Sequence, residues 1–87
     1  MDLNLGIKQS FKIATTLRKM AERYKGSRDP YDRKQGETLD NMADDIMGNK
    51  INDAQLRFDS LHANIRRSLP FDVLDHIDRA EHHVRHH

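Results

Sequence analysis

Six histidines are the residues best equipped for chemistry, and all lie in the last third of the chain: His62, His76, His82, His83, His86 and His87. On a helix, His82 and His86 stand one turn apart, with Asp78 four residues before His82, so these three form the candidate metal set. Zinc needs three or four ligands. Neither HExxH nor a paired ExxH spacing supplies the acid that metalloprotease or di-iron chemistry requires. A plainer role is also open to the cluster, because protonated imidazoles are favoured at a helix C-terminus. Asp78, His82 and His86 therefore remain a candidate only, and no metal or cofactor is assigned.

Other routes to catalysis are sparse. The chain has no cysteine, which excludes disulfides, thiolate nucleophiles and Cys-ligated metals. General acid–base work needs carboxylates pushed apart in pKa, and nucleophilic work needs a hydroxyl or amine beside a base. Asp44 and Asp45 project about 100° apart on a helix and form no dyad. Asp72 with His76, and Asp75 with Arg79, have the spacing of helix-stabilising pairs. Asp59 with His62 is the pair nearest to acid–base chemistry, yet no nucleophile accompanies it. His62, at the edge of an apolar stripe, is expected to be partly buried and hydrogen-bonded. The expectation is a protein that is not an enzyme.

Charge is distributed more tellingly than its net value of +1 suggests. Residues 1–34 hold nine Lys or Arg against four acids, residues 35–60 two against six, and residues 61–87 four against four. Lys8, Lys12, Lys19 and Arg23 follow one another at spacings of 4, 7 and 4, which places them within about 60° of each other on one helix face. Glu37, Asp40 and Asp44 form an acidic line on the next helix. Both ridges are expected to point outward and to steer a partner. Phe71 and Leu74 fall off the apolar stripe of their segment and mark an apolar patch near a corner of the fold. Nucleic acid is the alternative partner, engaged by Lys12, Lys19 and Arg23 together with Arg57, Arg66 and Arg67. Against it stand a pI of about 8.1, a basic ridge without interleaved aromatics, and the absence of a Gly-rich phosphate cradle.

The elements that position these residues are all helical. No segment alternates apolar and polar residues over six positions, whereas four segments repeat apolar residues at intervals of three and four. Helices are expected at about 4–25, 30–47, 52–68 and 70–85, forming a small four-helix bundle or an array of helical hairpins. The first carries Ile13, Leu17, Met20 and Tyr24, widened by Ile7, Phe11, Ala14 and Ala21, with Gly26 as a left-handed stop. The second starts at Asp29-Pro30, carries Tyr31, Leu39, Met42, Ala43 and Ile46, and ends at Gly48, with Gly36 as a fray or bend. The third opens on an Asn52/Gln55 capping box with Ile51 stapled to Leu56. It carries Ala54, Phe58, Leu61, Ile65 and Leu69 until Pro70 turns the chain. A second line of Leu56, Ser60 and Ala63 suggests that the third helix is the central one, contacted from two sides. Val73, Ile77, Ala80 and Val84 form the stripe of the fourth, which frays into the histidine-rich end.

Length and composition bound the rest. Eighty-seven residues allow a single domain, 1–87. Leu, Ile, Val and Phe make up 19 of the 87, just above the roughly one-fifth level below which charged chains stay disordered. So thin a core, with Leu56, Ala63, Phe71 and Leu74 off the stripes, favours a homodimer. No apolar run approaches the roughly 18 residues of a membrane span, and Met1-Asp2-Leu3-Asn4 does not open like a signal peptide. A cytoplasmic location and no membrane partner are expected. The functional expectation is a protein-binding module that occupies a surface of a larger protein or complex. It would serve as an adaptor, an assembly factor or a small inhibitor of the kind mobile elements encode.

Overall fold

Asp29 starts the element around which the rest is arranged: its Oδ1 accepts from the Tyr31 amide at 2.9 Å and Pro30 takes the first helical position. In the structure, a computed structural model that describes residues 2–77 and their side chains from residue 8 onward, this helix is α2, Pro30–Met47. It follows α1, Asp2–Lys25, and precedes α3, Ile51–Ser60, and α4, Ala63–Ser68. A fifth helix, α5, covers 71–77 and reaches the end of the described residues. No strand occurs among the described residues, so the protein is all-α.

The first two helices form an antiparallel hairpin. Arg18 pairs with Asp44 at 2.7 Å, while Lys25, further along α1, pairs with Asp40, earlier in α2. Between the helices lie Ile13, Ala14, Leu17 and Ala21 of α1 and Leu39, Met42, Ala43 and Ile46 of α2, all buried. Gly36 allows the helices to meet. A Cβ there would stand 2.6 Å from Lys25 Cγ and 2.9 Å from both the Ala21 carbonyl oxygen and the Lys25 nitrogen. The expected fray or bend at Gly36 is instead a buried point of backbone contact within a continuous helix.

α2 is also the helix against which α3 packs. It therefore takes the central place expected of the third helix. Leu56, on the line expected to receive another neighbour, is 69% exposed, and Ala63 is exposed as well. Three further local expectations change. Phe11 is 62% exposed because it sits at the margin of the α1 stripe, and Tyr31, in the first turn of α2, also lies outside the core. Gly26 is not left-handed; the described left-handed residue is Asn49, φ 58°, just after the Gly48 cap. The capping box at Asn52 is not made either. Lys50 is the N-cap without a side-chain bond, and the Gln55 amide donates to the Ile77 carbonyl at 3.3 Å, tying α3 to α5.

The largest departure is the division of the expected 52–68 helix into α3 and α4. Leu61 and His62 are extended, with ψ 149° and 143°. The His62 amide donates to Gln35 Oε1 at 2.9 Å, so a buried side chain of α2 takes a donor that a continuous helix would have used internally. Ser60 Oγ donates to the Arg57 carbonyl at 2.7 Å, which also satisfies an acceptor at the end of α3. On the far side the His62 ring caps α4, its Nδ1 accepting from the Asn64 amide at 3.2 Å. The break leaves the apolar stripe intact: Ala54, Leu61, Ile65 and Leu69 are all buried, with Phe58 packed against them. At Leu69, φ −67° and ψ 141° make the expected corner. Pro70 lies just before α5, its carbonyl accepting from Val73 and Leu74. Val73 and Ile77 complete the core; Ala80 and Val84 lie outside the described residues.

Candidate docking groove

The ridges of charge have different fates in the folded chain. On α2, Asp40 and Asp44 point along the seam with α1, where Lys25 and Arg18 hold them, and Asp45 accepts from Arg57 Nε of α3 at 2.7 Å. Glu37 remains exposed. The expected acidic ridge of Glu37, Asp40 and Asp44 is therefore outward at Glu37 and Asp44, but two of its three carboxylates pair with α1 across the seam. The physical reason is register: antiparallel packing brings the edge cations of α1 level with the acids of α2. Asp40 raises the Lys25 ammonium pKa above its ordinary value, first through its hydrogen bond and then through its charge.

Lys8, Lys12, Lys19 and Arg23 are all exposed, and none of them forms an ion pair among the described residues. They lie on the side of α1 away from α2. Along the last two turns of α1 this ridge borders a groove of about 410 Å³. Thr16, Lys19, Met20, Arg23 and Tyr24 form its α1 wall, and Ser68 and Pro70 of the α4–α5 corner stand opposite. Met20 and Tyr24 also pack against the core, so the groove has an apolar floor and a cationic rim.

The corner adds exposed apolar surface. Phe71, adjoining Pro70, is 81% exposed, whereas Leu74 packs against the core. The patch expected from both residues thus reduces to Phe71, because one turn of α5 carries Leu74 back onto the buried cluster.

The arginines proposed for nucleic acid are dispersed. Arg57 is bound to Asp45, Arg67 donates to Asn64 Oδ1 at 2.8 Å, and Arg66 is half-buried. Only Lys12, Lys19 and Arg23 of that set share one open face. His62 is exposed rather than partly buried, with its ring edge-on to Tyr31 at a centroid distance of 6.2 Å. Because its Nδ1 is occupied by the Asn64 amide, that nitrogen serves the cap and not Asp59. Among the described residues no group of three His, Asp or Glu side chains is placed to hold a metal ion; Asp78, His82 and His86 lie outside them. No described helix is long and apolar enough to cross a membrane.

The groove floor, Met20 and Tyr24, was legible only as core stripe, and Ser68 carried no signal at all. Arg18 and Lys25, at the margin of the α1 stripe, could have been matched to the acids of α2 by charge alone. Comparison with known proteins finds no matching family model, no similar curated protein and no similar solved structure.

Proposed function

We propose that this protein is a non-enzymatic binding module that occupies a surface of a larger protein or complex, as an adaptor, assembly factor or inhibitor in the cytoplasm. The observation that carries the reading is the groove between α1 and the α4–α5 corner, where an apolar floor adjoins cations that no acid of the described chain neutralises. Protein surfaces are recognised by this combination: the apolar part supplies affinity and the charged rim supplies orientation and association rate. Phe71 beside the groove supplies a large apolar contact of the kind that anchors interfaces.

The test compares wild type with Lys19→Glu/Arg23→Glu and with Phe71→Ala. Both variants are expected to keep full helicity and to lose proteins that wild type cross-links in cell extract. A parallel titration with duplex and single-stranded oligonucleotides at about 50 mM salt is expected to show no binding, under conditions permissive for nonspecific association. Unchanged cross-links in both variants, or steeply salt-dependent nucleic-acid binding that the charge reversal abolishes, would overturn the reading.

A further inference from the structure

We infer that the groove takes an acidic amphipathic helix presented by another protein; this occupant presupposes the protein-binding reading and narrows it to one chemistry.

Charge selects the sign of the occupant. Three aspartates of α2 are each matched by a cation of the same chain, while Lys8, Lys12, Lys19 and Arg23 stay unmatched among the described residues. The open face carries four cations, with the exposed Glu22 as the acid at its α2 side, so its balance is positive, and a carboxylate-bearing partner is drawn to it while a basic one is repelled.

The walls select the shape. Both sides of the groove are built from helical segments and a proline corner, so no sheet edge is present to accept an added strand. An extended peptide would lie over Met20 and Tyr24 with its backbone groups unpaired, whereas a helix brings its own hydrogen bonds satisfied. From Thr16 to Tyr24 the α1 wall runs for nine residues, about 12 Å for the eight rises of 1.5 Å between them. Apolar anchors at i, i+3 or i+4, and i+7 span about 10.5 Å and fit that length.

The rim selects the pattern. A helix packed nearly along α1 meets Lys19 and Arg23 at the groove rim, and Lys12 and Lys8 beyond the end of the groove, with carboxylates at the same intervals, because both helices share one rise per residue. Their 4-7-4 spacing reads identically in either direction, so charge sets the register of the occupant but leaves its polarity to the floor. A nucleic-acid strand matches this less well, since the cations occupy a single helix face and the arginines that would flank it are bound to Asp45 and Asn64.

A yeast-displayed library of helix-forming 18-residue peptides, panned against the full-length protein at physiological salt, tests the assignment. Enriched peptides are expected to be acidic, with apolar residues at i, i+3 or i+4, and i+7. The best of them, made synthetically, should bind Lys19→Glu/Arg23→Glu at least about tenfold more weakly than wild type. Exchanging its rim carboxylates for lysines should restore binding to that variant, which separates lost charge pairing from lost folding. Enrichment of neutral or basic peptides would overturn the acidic occupant while leaving the protein-binding reading intact. Acidic peptides indifferent to the charge reversal would also overturn it. If no peptide binds and an oligonucleotide does so through Lys19 and Arg23, both proposals fall.

Discussion

Replacing Gly36 by alanine sets two effects of opposite sign against each other. Alanine is favoured over glycine inside a helix by about 1 kcal/mol. The added methyl, however, would meet Lys25 Cγ at 2.6 Å and two α1 backbone atoms at 2.9 Å. The Lys25 stem can turn aside, but the Ala21 carbonyl and the Lys25 nitrogen move only with α1. Relief to ordinary contact therefore means separating the helices by roughly half an ångström, which thins dispersion contacts along the whole seam. Overpacking of this kind costs about 1–3 kcal/mol, and the backbone character of the clash places it at the upper end. The net expectation is a loss of about 2 kcal/mol, or roughly 8–16 °C in Tm for a domain of this size. Gly26→Ala provides the internal control. There the nearest atoms are backbone oxygens at 3.5 and 3.7 Å and φ is not positive, so the substitution should stabilise by about 0.4–1 kcal/mol through the unfolded chain. Urea unfolding followed by helical circular dichroism, with both midpoints compared at constant m, reads the difference. If Gly36→Ala stabilises the protein as much as Gly26→Ala does, the close approach of α1 and α2 is refuted.

Four further outcomes follow from the same packing. Leu61→Ala should cost about 2–5 kcal/mol because Leu61 is buried beside the break, whereas Leu56→Ala should stay within about 0.5 kcal/mol because Leu56 is exposed; equal losses by urea unfolding would contradict the burial of Leu61 and the exposure of Leu56. Gln35→Ala removes the acceptor for the His62 amide, and the expected loss is about 1–3 kcal/mol; amide exchange at His62 should accelerate, and an unchanged rate would count against the bond. Because Asp40 raises the Lys25 pKa, the stabilisation from this pair is fully present below the ordinary lysine value and disappears as pH rises through the raised one; a side-chain NMR titration should show Lys25 moving back toward the ordinary value in Asp40→Asn, and no movement would break the assignment. Pairing of two copies through exposed Leu56 and Phe71 should make light scattering report twice the 10.2 kDa chain mass at high concentration, with Phe71→Ala returning it to a single chain mass; an invariant single mass for wild type counts against self-association.

Local chemistry in the sequence determined the helical class, the Asp29-Pro30 start of α2, the Leu69-Pro70 corner and most of the core. These follow from periodicity, from a side chain that caps its own helix, and from a proline that has no amide to donate. The membership of Leu61, Ile65 and Leu69 in the core was legible even though the helix carrying them breaks, because each remains apolar wherever the chain turns. The break itself depended on Gln35, 27 residues before His62. No window around Leu61 contains the acceptor that makes an extended His62 favourable. Gly36 was misread for the same reason: a missing Cβ has a purpose only when another backbone lies where it would have been. The basic ridge could be read from spacing alone, since charge on a solvent-facing helix needs no partner to stay outward. Tertiary structure alone decided that three aspartates of α2 are paired with Arg18, Lys25 and Arg57 while the ridge is left unmatched, and that Pro70 and Ser68 stand across from Met20 and Tyr24. Which charges cancel and which surfaces face one another depend on the register between helices, a quantity that appears only once the core has packed.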